Sequence, residues 1–87
     1  HDIKADEVVF WKQSDGTILL DGSISIREAN RKLSLNLPES ENYTTLAGFL
    51  MTEAGKLLEI SDTIEYQNST FIVQQIEGRR ITRVRLK

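Results

Sequence analysis

The chain has 87 residues, the length of one small domain. A domain of that size buries roughly 60–65% of the surface its unfolded form exposes. There is no Cys, so disulfides and thiolate zinc sites are excluded, and the single His is residue 1, leaving the body without a histidine for acid–base work. The net charge of −2 hides an asymmetry: residues 1–78 carry 6 Lys/Arg against 13 Asp/Glu, a net of −7, whereas residues 79–87 carry Arg79, Arg80, Arg83, Arg85 and Lys87 with no acid, a net of +5. An acidic body with a basic last strand is a dipolar surface and not the uniform basic footprint of a nucleic-acid binder. No apolar run approaches the roughly 18 residues a membrane helix needs, and no signal-peptide pattern opens the sequence.

In chain order, β-branched and aromatic residues over 7–13 and again over 17–22 predict two strands, joined through Ser14-Asp15-Gly16. Asp-Gly between apolar runs is a hairpin signal because Gly accepts positive φ without steric cost. Ser25-x-x-Glu28 matches a capping box and opens a helix over 26–34 with Ile26, Ala29 and Leu33 at helical spacing. Pro38 cannot continue it, and Glu39-Ser40-Glu41-Asn42 reads as an acidic loop. Thr44 or Thr45 caps a second helix with Leu46, Phe49, Leu50 and Ala54 as its apolar stripe and Gly55 as its stop. Gly48 inside it reads as a point of close approach to a neighbouring element.

Three further strands complete the pattern: 63–67, then 70–76 after a turn at Asn68-Ser69, then 80–87 after a turn at Glu77-Gly78. Simple alternation places Phe71 and Val73 on one face of the fourth strand and Ile72 with Ile76 on the other. Ile81 breaks the parity of Val84 and Leu86, which predicts a bulge near residues 80–82. The order β-β-α-α-β-β-β predicts an α+β two-layer sandwich, with two helices on one face of an antiparallel sheet. The basic last strand reads as a solvated sheet edge, which would also allow a homodimer by edge pairing across a two-fold axis.

Chemistry is sparse. Neither nucleotide-binding Gly-rich motif nor a nucleophile elbow is present, and residues 39–42 lack the spacing of a calcium loop. Asp21-Gly22-Ser23 reads as a structural strand-to-helix turn. Trp11 reads as a core residue, with a partner surface as the alternative. Tyr43 reads as a staple on the second helix or as a surface residue. With no catalytic constellation, no cofactor and no metal site, the chain is expected not to be an enzyme. The residues singled out for contact with a partner are Arg79, Arg80, Arg83 and Arg85 on the basic strand and Glu39 and Glu41 in the acidic loop.

The order of signals resembles the CorC/HlyC transporter-associated domain. The resemblance rests on Asp21-Gly22-Ser23, the helix holding Asn30, Leu35-x-Leu37-Pro38, the segment Tyr43-Thr44-Thr45-Leu46-Ala47-Gly48-Phe49-Leu50, and the ending Phe71-x-Val73, Gly78-Arg79-Arg80-Ile81 and Val84. It covers residues 6–87, and His1-Asp2 is similar to the tail of the linker that follows a CBS-domain pair, making 1–5 a linker remnant. Two departures lie after the second helix, where the family's Gly-x-Ile-Pro and Gly-Asp are replaced by Gly55-Lys56-Leu57-Leu58 and Ser61-Asp62. The resemblance implies a cytoplasmic regulatory domain of haemolysin-like proteins or magnesium and cobalt efflux proteins. Its partners would be the CBS pair and the transmembrane domain of the parent chain, with no nucleic acid and no membrane insertion of its own. It also implies a fold similar to a subdomain of PCMH-type FAD-binding proteins. A flavin or adenine-nucleotide sensor is the alternative function.

Overall fold

Residues 10–87 are described by the structure, a computed structural model. The linker remnant at 1–5 and the start of the first predicted strand at 7–9 lie outside the described residues. Seven elements follow in the expected order: β1 (Phe10–Lys12), β2 (Ile18–Asp21), α1 (Ile26–Leu33), α2 (Leu46–Ala54), β3 (Thr63–Tyr66), β4 (Ser69–Glu77) and β5 (Arg80–Leu86). The strands form one antiparallel sheet in the order β1-β2-β5-β4-β3, with the two helices packed on one face. The last strand is therefore the middle of the sheet and not its edge. Both ladders of β5 are occupied, so it offers no edge for dimer pairing, and among the described residues β1 and β3 are the edge strands.

Register explains the core. Phe10, Leu20, Val84 and Val73 form one cross-strand row, and Ile18, Leu86, Phe71 and Ile64 form the next. Side chains directly opposite share a face, so both rows meet the helices. Leu46, Phe49 and Leu50 of α2 and Ile26 and Ala29 of α1 are buried against them. Phe49 is central, meeting Tyr43, Tyr66 and Phe71 edge-on at centroid distances of 5.6, 5.2 and 6.5 Å.

The expected bulge is present and has a counterpart. Between the pairs Val73↔Val84 and Ile76↔Ile81, β4 carries the extra residue Gln74 and β5 the extra residue Thr82. Each insertion flips the parity of its strand, so Ile76 and Ile81 return together to the core face. The placement of Ile76 with Ile72 by simple alternation is thereby corrected. Both hairpin turns also fall one residue from their expected places. Gln67 (φ 54) and Asn68 link β3 to β4, and Gly78 (φ 65) with Arg79 links β4 to β5.

The helix ends follow local hydrogen bonding. The Ser25 hydroxyl accepts the Glu28 N–H at 3.0 Å, but Glu28 does not complete a capping box; its carboxylate faces Arg31 (3.7 Å) and Lys32 (3.5 Å) one turn on. Thr45, not Thr44, caps α2 by accepting the Gly48 N–H, and Tyr43, two residues before the cap, packs its ring on Phe49 in place of a staple at Thr44. Gly48 permits this approach, since a Cβ there would stand 2.9 Å from that of Tyr43. Ser34 (φ 57) and Gly55 (φ 70) end the helices in the left-handed region.

Two side chains and one glycine fix the connections. Asn30 donates to the Leu37 carbonyl (2.9 Å) and accepts the Leu37 N–H (2.8 Å), clamping the inter-helix segment onto α1. Asp21 accepts both the backbone N–H and the hydroxyl of Ser23, giving the strand-to-helix turn its shape. Gly22 then lies against β5: its N–H donates to the Thr82 carbonyl (3.1 Å) and its carbonyl accepts the Ala47 N–H (3.0 Å). The Asp21-Gly22-Ser23 segment is thus a structural joint between sheet and α2.

Candidate contact surface

The sheet face turned away from the helices carries Trp11, Leu19, Arg85 and Ile72 in one cross-strand row, with Asp21, Arg83 and Gln75 beside it. Trp11 is half-buried here and takes no part in the helix-side core, a correction to its reading as a core residue. The Arg83 guanidinium lies 4.4 Å from the centre of the Trp11 ring and 3.9 Å from the Asp21 carboxylate. Arg85 donates to the Thr17 hydroxyl (2.8 Å) and to Asp15 (3.3 Å). Thr17, buried, donates its own hydroxyl (2.6 Å) and N–H (3.0 Å) to Asp15. These Thr17 bonds, with help from the Arg85 charge, hold the Asp15 carboxyl below its ordinary value. The two arginines are therefore engaged within the sheet, their stems lying beside Trp11, Leu19 and Ile72 on this face.

Arg79 and Arg80 differ. Arg79 is in the β4–β5 turn and Arg80 pairs with Glu77 at the hairpin mouth; both side chains are exposed and neither forms an ion pair with another described residue. Arg80, Arg83, Thr82, Asp21, Ser23 and Glu77 line a polar depression of about 270 Å³ beside the bulge. The extra residue Thr82 thus leaves Arg80 and Arg83, both on β5, beside the same depression, while Arg85 is turned toward the β1–β2 loop.

The acidic loop is separate from that corner. Glu39 meets Arg27 at 3.5 Å beside a second depression, about 310 Å³, lined also by Ser25, Ser40, Tyr43 and Thr44. Glu41 is exposed. The segment is tied down locally: the Ser40 hydroxyl accepts the Asn42 N–H (3.1 Å) and Tyr43 donates its hydroxyl to the Pro38 carbonyl (2.8 Å). Partial burial, then the Glu53 charge, pushes the Tyr43 phenol above its usual value. Both depressions are open and at or below the lower end of the size range of small-molecule sites. Sequence reading passed over the Asn30 clamp and Thr17; the available signal was an Asn, a weak helix former, in the middle of a short helix.

Residues 11–87 match the CorC_HlyC family, described as the transporter associated domain, and the chain belongs to that family. The solved transporter associated domain CorC_HlyC from Nitrosomonas europaea is 34% identical, with 93% of this chain and 96% of that one covered and a TM-score of 0.83. A transporter associated domain from a CBS domain protein of Porphyromonas gingivalis is 27% identical, covering 91% and 95% of the two chains with a TM-score of 0.78. The polyamine export protein of Haemophilus influenzae is 26% identical over 83 residues, which is 94% of this chain and 19% of the relative. The chain thus spans about a fifth of that relative's length. Among the described residues no helix is long and apolar enough to cross a membrane, and no group of three or more metal-binding side chains converges.

Proposed function

We propose that the domain is a non-catalytic regulatory module on the cytoplasmic side of a membrane cation exporter, acting by contact with the CBS pair of its parent chain. Family membership supports the accessory role, the Porphyromonas relative links the domain to CBS proteins, and the Haemophilus relative links it to export of a polycation. Magnesium or cobalt, the cargo implied by the family resemblance, belongs to the same class of multiply charged cation. A contact that differs between two states of the transporter shifts their populations by its differential free energy, without any chemistry at the domain itself.

The observation that carries the reading is the division of labour among the arginines. Arg83 and Arg85 are held by Asp21, Trp11, Thr17 and Asp15, leaving Arg79 and Arg80 presented at the hairpin corner. Such cations set orientation and association rate more than affinity. Calorimetry of the domain with the parent's CBS pair, with and without ATP and magnesium, tests it. Binding should depend on the nucleotide and weaken several-fold in R79E/R80E. Absence of binding in every state would overturn the reading.

A further inference from the structure

The β3 edge combines three properties found together nowhere else among the described residues. The first is open backbone. The two-residue turn makes Tyr66↔Ser69 the closing pair, so Tyr66 and Ile64 bond to β4 while the N–H and C=O groups of Thr63 and Glu65 project from the free side of the sheet. Residues 63–66 contain no Pro and no Lys, two of the usual devices that prevent pairing at an edge, and the bulge formed by Ser61 and Asp62 opposite Val73 lies just before them.

The second property is exposed apolar surface. Leu57 and Ile60, 72% and 57% exposed, are the two large hydrophobic residues standing in solvent among the described residues, and both belong to the loop that enters β3. Leu58 between them is buried and anchors the loop, while Ser61 and Asp62 already sit on the β4 ladder through bonds to Val73. The apolar pair is thus held at the edge rather than carried on a free loop.

The third is charge. Residues 53–65 contain Glu53, Glu59, Asp62 and Glu65 against Lys56 alone, a net of −3. Two copies pairing through β3 would set these acidic margins against each other, which disfavours self-association. We propose that this edge accepts an extended segment of a partner protein, basic and apolar in alternation, as a sixth strand of the sheet. Backbone bonds at Thr63 and Glu65 would supply the pairing, Leu57 and Ile60 the apolar contact, and the carboxylates the selection for Lys or Arg.

Solved domains of the family comprise little more than this fold, so the isolated domain is the material for the test. The probe is a capped Lys-Val-Lys-Val-Lys-Val-Lys peptide, with its Glu-Val counterpart as control, titrated into labelled domain and followed by NMR. Saturable shifts at the Thr63 and Glu65 amides and the Leu57 and Ile60 methyls are expected from the basic peptide alone, with slower hydrogen exchange at the two amides. L57S/I60S, which alters only exposed side chains, should keep the fold and weaken binding about tenfold or more. Absence of shifts at about 1 mM basic peptide, equal shifts with the acidic peptide, shifts confined to Arg79 and Arg80, or self-association through β3 would each overturn the proposal.

Discussion

Replacing Gly22 by Ala should remove about 3–5 kcal/mol of stability. A Cβ built on Gly22 would lie 2.1 Å from the Ile81 carbonyl oxygen and 2.9 Å from its carbon, where ordinary contact begins at 3.4 Å. The turn and β5 would have to part by about 1.3 Å. Neither side is free to yield, because Gly22 is bonded to Thr82 on the strand and to Ala47 on α2. Overpacking costs about 1–3 kcal/mol and each weakened backbone bond about 1 kcal/mol more. Against a total stability of about 4–13 kcal/mol for a chain this long, such a loss is a large fraction, with a fall in Tm of more than about 10 °C. Urea unfolding followed by Trp11 fluorescence and far-UV circular dichroism measures it. Gly16→Ala is the control: nothing lies within 4 Å of its Cβ, and its φ of +89° should cost only about 1 kcal/mol. A loss below about 0.5 kcal/mol for Gly22→Ala would refute the close-approach account.

Asn30→Ala should cost about 2 kcal/mol, because it strands both backbone groups of Leu37, and thermal unfolding reads it directly. Ser61 holds a φ of 80°, a conformation Gly adopts freely, so Ser61→Gly should raise stability by about 0.5–1 kcal/mol in the same assay. The lowered pKa of Asp15 means that its contribution is present above about 3.8 and is lost as pH falls through the folded-state value. Asp15→Asn should therefore flatten the acid limb of stability against pH, while leaving a profile of the same shape near neutrality. An unchanged acid limb would show that the Thr17 bonds do not persist in solution.

The element order was legible because each boundary had a local chemical cause: Asp15-Gly16 at the first hairpin, the Ser25 and Thr45 caps, Pro38 after the first helix, Gly55 at the end of the second. The family segments around Asp21, Asn30 and Tyr43 fell where the fold needs them, and Gly48 indeed marks a close approach. What eluded local reading depends on pairing between distant residues. Strand order placed the basic strand in the middle of the sheet, which no periodicity reports. The paired bulges at Gln74 and Thr82 returned Ile76 to the core, and only Ile81 had given a hint of them. Among the arginines, spacing identified a basic strip, but which members are engaged followed from Trp11, Asp15, Thr17 and Asp21 reaching β5 across the sheet.

Because β5 is the last of the domain's seven elements in chain order and the one that joins two halves of the sheet, folding of the domain has an order imposed by translation. Before residues 80–86 leave the ribosome, β1–β2 and β3–β4 are separate hairpins, and isolated hairpins are marginal in water. Leu20 and Phe71 then lack the strand that packs between their ladders. Arrival of β5 closes pairings to β2 across more than sixty residues of sequence, a long-range step that makes folding slower than local helix formation. Nascent chains stalled short of Arg80 should accordingly be protease-sensitive throughout, and acquire resistance in a single step once the final strand is released.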